Sequence, residues 1–382
     1  MRTEQPTSAA EAADAIRTAS EQGARVRLRG GGTKLGWGHV SEAPDLELST
    51  SGLQRIVEHS RSDLTAVLQA GVRLAEAQEE FGRVGQMLAV DPPLGEGESA
   101  TVGGVLATAD SGPLRHQYKA PRDLLLGASF CLADGTLAKA GSKVIKNVAG
   151  YDLPKLFCGS FGTLGLIVEV SVRLHPIPLA TTTAVGESGD PDALERAVLS
   201  LSRSTLVEDC LDVAWDGEEG MVLARYGGAA PGDRARRSLD LLAGAGLEAR
   251  LEEDDEGIWE RQRAGQRSAA GAVVRVSGLP GELSRVLRVA RKAGASVVGR
   301  AGLGISWMRL EEADPVGLVS TIEELRRKLA PFPCVVLDAP EEVRRKLDPW
   351  GEPNGGLPLM RRIKARFDPS GTCNPGLYVG GI

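Results

Sequence analysis

The chain has 382 residues, of which 42% are hydrophobic and 25% charged. This is the balance of a globular protein too long for one ordinary core, so two or three domains are expected. A formal net charge of −6 argues against a nucleic-acid binder, which presents a basic face, and no run of about 18 apolar residues exists to cross a membrane.

The N-terminal stretch MRTEQPTSAAEAADAI lacks the apolar core of a signal peptide. Ser8 and Glu11 pattern as a capping box for a first helix, with Ala12, Ala13, Ile16 and Ala19 as its apolar stripe and Gly23 as its stop. Val26 and Leu28 then alternate with Arg25, Arg27 and Arg29, as in a half-buried strand that runs into GGGTKLGWG. DLEL and TAVLQAG read as further strands and RLAEAQEEFGRVG as a helix, so residues 1–85 are expected to form a small α/β lobe. A second lobe is expected over residues 86–178. In it Gly103 and Gly104 open a small-residue helix, Asp134-Gly135 is the tight turn of a hairpin, and the strand LIVEVSVRL is stopped by Pro176 and Pro178.

Composition shifts after Pro178 towards Arg and Glu. Helices fit residues 191–204, 232–243, 281–293 and 314–329. Strands fit 210–215, 220–226, 272–277, 304–310 and 334–338. This order predicts an α+β cap over residues 179–340, with helices on one face of an antiparallel sheet. The charged stretch RLEEDDEGIWERQR reads as a solvated helix face or a subunit contact. Residues 341–382 supply a helix, LPLMRRIKARF, and a tail, GTCNPGLYVGGI.

Two glycine-rich segments carry the chemistry. Three successive glycines in Arg29-Gly30-Gly31-Gly32-Thr33-Lys34 form either a plain turn or a nest of inward amides for an anion such as a diphosphate. A P-loop is excluded because Trp37 follows Gly36, and a Rossmann fingerprint because Leu35 occupies the third glycine position. The block KVIKNVAGYDLPKLFCGSFGTLG spaces Gly159, Gly162 and Gly165 by three. Such glycines permit close approach of backbone to another strand or to a flat cofactor. The five cysteines, Cys131, Cys158, Cys210, Cys334 and Cys373, are far apart without a C-x-x-C pair. That excludes a locally spaced iron–sulfur or zinc cluster and predicts reduced cytosolic thiols and no metal site.

RGGGTKLGWG, GEGESATVGGVLAT, RDLLLGASFCLADGTL, the KNVAGYDL–GSFGTLG block and FDPSGTCNPG occur in one order. In this the chain resembles the FAD-linked oxidases of the vanillyl-alcohol-oxidase type, with the PCMH flavoprotein fold. Within them it is most similar to the FAD-binding E subunit of bacterial glycolate oxidase, over about residues 1–178 and 345–382. The resemblance implies an α+β architecture with a two-lobed FAD-binding domain. Gly30, Gly31, Gly32, Thr33 and Lys34 would meet the pyrophosphate, and Pro93, Thr101, Gly103 and Gly104 the ribityl chain and pyrophosphate. Lys146, Asn147, Gly150 and Tyr151 would lie by the flavin ring or its entrance, and Gly162, Gly165 and Ile167 along the adenine and ribityl side. Asn374 would return towards the ring. Thr33 stands where many such proteins tether flavin to histidine, so non-covalent FAD is implied.

Oxidation of a 2-hydroxy acid needs a hydride acceptor, a base and a cation for the carboxylate. Flavin supplies only the first. The four histidines, His39, His59, His116 and His175, all precede the cap, where related catalytic chains commonly carry a His-rich cluster. Arg115, His116, Lys146 and Tyr151 are the catalytic candidates. The resemblance therefore implies a subunit of a glycolate oxidase or dehydrogenase that acts on glycolate or D-lactate. It would be a cytoplasmic protein reaching the inner face of the membrane only through partners, namely a second flavoprotein and an iron–sulfur subunit. A self-sufficient FAD enzyme and a non-enzymatic flavin-fold scaffold are the alternatives.

Overall fold

The protein is described from a computed structural model, which covers residues 1–143, 151–312, 314–353 and 355–382. The chain divides into two units, each described by itself. The first comprises residues 1–111, 120–177 and 352–382, and the second residues 112–119 and 178–351.

The first unit starts with β1 (Arg2–Glu4) and α1 (Ala9–Glu21). The Ser8 hydroxyl accepts from the Glu11 amide at 3.2 Å, but the Glu11 carboxylate takes the Thr7 amide at 2.8 Å, one residue outside the expected box. The small apolar face of α1 packs on β2 (Val26–Arg29) and β3 (Leu46–Ser49), in a cluster that includes Val26, Leu46, Leu48 and Cys373. β1, β3 and β2 form a parallel three-stranded sheet.

This first lobe ends near residue 50, not 85. β4 (Ile56–Ser60) and β5 (Thr65–Gln69) leave it for the second sheet, because β5 pairs antiparallel with β9 (Leu166–Arg173). Between them in sequence come α2 (Leu74–Gly82), β6 (Gln86–Met87), α3 (Val102–Thr108), α4 (Arg115–Tyr118), α5 (Pro121–Leu124), β7 (Leu125–Cys131), β8 (Leu137–Gly141) and α6 (Leu153–Phe157). The second sheet runs β4-β5-β9-β7-β8, and β7 and β8 are the expected hairpin. Pro176 does not end all pairing: β10 (His175–Pro176) pairs with β6. His59 is half-buried; its Nε2 lies 2.9 Å from Gln86 Oε1, with the ring against Phe81.

The second unit is an antiparallel sheet of eight strands. In chain order its elements are β11 (Thr181–Ser188), α7 (Pro191–Ser202), β12 (Cys210–Trp215), β13 (Gly220–Gly227), α8 (Pro231–Gly244), β14 (Glu248–Glu252), α9 (Glu256–Ala264), β15 (Ala272–Ser277), α10 (Leu283–Lys292), β16 (Ser296–Arg300), β17 (Ile305–Leu310), α11 (Pro315–Leu329), β18 (Cys334–Val336) and α12 (Glu341–Lys346). The strand order is β14-β11-β13-β12-β16-β17-β15-β18. Alternation along each strand separates two faces. Ala184, Leu211, Val213, Val222 and Ala224 pack with the apolar stripes of α7, α8, α10 and α11. On the other face, Val185, Cys210 and Leu223 pack with Ile258 and Trp259 of α9.

The stretch read as a solvated helix face is therefore half sequestered. Trp259 is fully buried, and its indole N–H donates to Thr183 Oγ1 at 3.0 Å. Thr183 donates in turn to Asp255, which also pairs with Arg225 at 3.0 Å. Residues 112–119, expected in the flavin domain, belong to this unit because Leu114 packs into the α9 cluster. The chain then returns to the first unit with α13 (Leu357–Phe367), where Lys364 donates to the carbonyls of Thr163 and Cys373. No helix among the described residues is long and apolar enough to cross a membrane.

Candidate cofactor site

β2 ends at Arg29 and hands the chain to the glycine loop, which lies on the segment that leads into α3. A Cβ added at Gly31 would sit 1.6 Å from the Ser99 carbonyl oxygen, and one at Gly30 would sit 2.3 Å from Thr101 Oγ1. From the other side, a Cβ at Gly95 would come within 2.5 Å of Thr33 Cγ2. The two segments that the sequence reading assigned to the pyrophosphate are thus in direct contact.

Their backbone amides have different uses. Thr101 caps α3 by accepting from the Gly104 amide at 3.2 Å, and the Gly103 amide donates to the Ala70 carbonyl at 2.8 Å. Gly103 and Gly104 therefore spend these donors on packing. The amides of Gly31 and Gly32 donate to no backbone carbonyl among the described residues. Half-buried backbone donors need a partner, and this pair matches an anion. Pro93 is half-buried in the preceding loop.

Lys34 is committed elsewhere. Its ammonium lies 3.2 Å from Asp110 Oδ2, with both side chains almost fully buried, and 5.7 Å from the Trp37 ring centroid. Trp37 begins an aromatic run, with Phe161 at 6.4 Å and Tyr378 a further 5.3 Å from Phe161.

Phe161 belongs to the turn that carries Gly159, Gly162 and Gly165, all at positive φ. A Cβ on Gly165 would stand 2.6 Å from the Cys131 carbonyl, and one on Gly162 would stand 2.7 Å from Asn374 Nδ2. The close approach that this spacing foretold is thus met by protein at both positions. Asn374 is a three-way clasp. Its amide donates to Val26, its Oδ1 accepts from Leu28 N–H at 2.8 Å, and its Nδ2 donates to the Phe161 carbonyl at 2.7 Å. Asn374→Ala should cost about 1–3 kcal/mol of stability by orphaning two backbone groups, readable as a lower thermal midpoint of the protein freed of cofactor. An unchanged midpoint would mean that the tail is held by other contacts.

Ile167 is buried in β9 opposite Phe130. Tyr151 is 91% exposed. Lys146, Asn147 and Gly150 lie outside the described residues. Arg115 and His116 fall on α4, in the second unit. Burial holds the His116 imidazole below its usual pKa, and Gly302 faces the ring, where a Cβ would be 2.6 Å from Cε1. The buried Nδ1 of His116 has no hydrogen-bond partner among the described residues.

Sequence reading missed Asp110, Trp37, Ser160 and the side chain of Arg29. Ser160 is buried in the glycine-spaced turn, and its hydroxyl finds no partner among the described residues. The amides of Gly31 and Gly32 and the Ser160 hydroxyl, without hydrogen-bond partners among the described residues, suit a ligand with a diphosphate and further polar groups, as FAD has.

Residues 3–141 match the family of FAD binding domains. An uncharacterized FAD-linked oxidoreductase of Mycobacterium tuberculosis is 26% identical, with 98% of this chain and 90% of that protein aligned. The glycolate oxidase subunit GlcE of Escherichia coli is 33% identical over 44% of this chain and 50% of its own length. The D-lactate dehydrogenase of Archaeoglobus fulgidus is 35% identical over 45% of this chain and 38% of its own. Among solved structures, alkyldihydroxyacetonephosphate synthase superposes with a TM-score of 0.71 at 16% identity, covering 98% of this chain and 75% of that one. The fold is the α+β fold of the PCMH-type FAD-linked oxidases, and the cofactor of this chain is FAD.

Proposed function

We propose that this FAD-dependent oxidoreductase is the flavin-carrying subunit of a complex that oxidises a small 2-hydroxy acid, such as glycolate or D-lactate, to the 2-oxo acid. One observation carries the subunit reading: residues 178–351 contain no histidine. Bound FAD supplies the hydride acceptor. The amides of Gly31 and Gly32 hold its diphosphate, and the Thr33 side chain leaves it untethered. A base that takes the hydroxyl proton must be oriented by a hydrogen-bond partner. His116, the histidine that the second unit does hold, has no such partner at Nδ1 among the described residues. The base then comes from a partner chain, in keeping with the likeness to a protein named as a glycolate oxidase subunit, and a separate iron–sulfur chain would take the electrons onward.

His116 also favours a second reading, a self-sufficient enzyme. Burial keeps its imidazole neutral at pH 7 and able to accept a proton. The two readings separate in one anaerobic experiment. The purified yellow chain, mixed with glycolate or D-lactate, is expected to keep its flavin absorbance alone and to bleach when co-purified with its partners. Bleaching of the lone chain that is lost in His116→Ala would overturn the subunit reading.

A further inference from the structure

We infer that Arg29, and not Lys34, is the cation that faces the FAD diphosphate at the glycine loop, held in place by Glu47. This rests on the reading that the loop carries the diphosphate.

The two cations beside the loop differ in what they have left to give. Lys34 is paired with Asp110, and both side chains are nearly inaccessible, at 6% and 4% exposure. Its charge is neutralised where it stands. Moving it to a ligand would leave the Asp110 carboxylate buried and unpaired, which is costly.

Arg29 is placed differently. Its side chain is 42% exposed, and its Nη1 donates to Glu47 Oε1 at 3.0 Å. The opposite edge of the guanidinium, Nε and Nη2, lies against Gly32; a Cβ there would be 3.0 and 3.2 Å from these two atoms. Gly32 has φ +79, so the loop turns its backbone across that edge. No hydrogen bond among the described residues uses Nε or Nη2 of Arg29. Two parallel N–H donors on one edge are the fork that grips phosphate oxygens.

Charge points the same way. Glu47 is buried and serves both Arg27, at 2.7 Å, and Arg29. Burial acts to raise its carboxyl, but the hydrogen bonds from Arg29 and Arg27 outweigh that and hold it below the usual value. Two guanidinium groups against one carboxylate leave a surplus positive charge at the end of β2, where the unspent amides of Gly31 and Gly32 begin. The Lys34–Asp110 pair leaves none. Its work is to fasten the far end of the loop to the chain beyond α3.

The test is titration of FAD into the full chain freed of cofactor, at low and high salt, with riboflavin as the ligand that lacks phosphate. Arg29→Met should weaken FAD on the order of tenfold to a hundredfold, flatten the salt dependence and leave riboflavin binding unchanged. Glu47 keeps Arg27 in this variant, so the fold should persist. Arg29→Lys, which keeps a point charge without the fork, should fall between. Lys34→Met should lower the thermal midpoint of the cofactor-free protein and preserve the salt dependence. Wild-type affinity and salt dependence in Arg29→Met, with FAD still lost in Gly31→Val, would overturn the inference and spare the loop. FAD retained in Gly31→Val would overturn both.

Discussion

Gly31→Val should yield a folded, colourless protein. The added Cβ would lie 1.6 Å from the Ser99 carbonyl oxygen, 2.5 Å from its carbon and 3.3 Å from the Ala100 nitrogen. These are backbone atoms, so no side-chain rotation relieves the overlap. Nor can the 99–101 backbone yield, since the Ala100 amide donates to Leu94 and its carbonyl accepts from Leu74. The glycine loop must move instead, and the amides of Gly31 and Gly32 move with it. Overpacking of this kind costs about 1–3 kcal/mol even where the chain can adjust, and here the cost falls on the FAD-competent position of the loop. A fall of at least about tenfold in FAD affinity is expected, with the far-ultraviolet spectrum unchanged. Gly36→Ala is the matched control, because a Cβ there meets nothing within 4 Å and flavin content should equal that of wild type. The expected mechanism differs from the one the sequence suggests. A Cβ at this glycine collides with the protein's own chain before it reaches a phosphate.

That difference marks where sequence reading runs out. Glycine spacing announces close approach but not the identity of what approaches. At Gly162 and Gly165 the neighbours are Asn374 and Cys131, more than 30 residues away in sequence for Cys131 and over 200 for Asn374. Pairing a lysine in the loop with a phosphate is the simplest reading of Lys34, and only the fold brings Asp110 to it. Strands such as β12, β13 and β15 were legible because hydrophobic residues mark them clearly and turns bound them. β11, β14 and β16 were not. TTTAVGES is too small and glycine-interrupted to signal a strand, and EARLE and SVVGR are short segments whose partners are supplied by the sheet. The first lobe looked complete at residue 85 because β4 and β5 follow it in sequence. The pairing of β5 with β9, about 100 residues later, could not be read locally. The buried side of α9 was hidden in a charge run, although Ile258 and Trp259 within it carried its signal.

The second unit holds the largest expected stability effect, at a pair invisible in the sequence. Asp212 on β12 and Arg300 on β16 are both fully buried, with Arg300 Nη1 donating to Asp212 Oδ2 at 2.6 Å. Arg300 also donates to Gln266 and lies over the Trp307 ring, with Cζ 4.9 Å from the centroid. Asp212→Ala removes the carboxylate that pairs with this fully buried guanidinium. Loss of one partner of such a pair costs about 3–5 kcal/mol, whereas replacing both by apolar groups is often near neutral. The single variant should therefore destabilise the second unit by that amount, and Asp212→Leu combined with Arg300→Met should recover most of it. Because the chain has two units, a fall in the thermal midpoint would not by itself assign the loss to the second unit. Hydrogen exchange of the β12 and β16 amides reports on these strands directly. Protection should collapse in Asp212→Ala while β5 and β9 keep theirs. Equal loss in the single and double variants would show that these strands depend on shape rather than on charge balance. In that case Arg300 would be held by its stacking on Trp307 and its bond to Gln266, and the ion pair would contribute little.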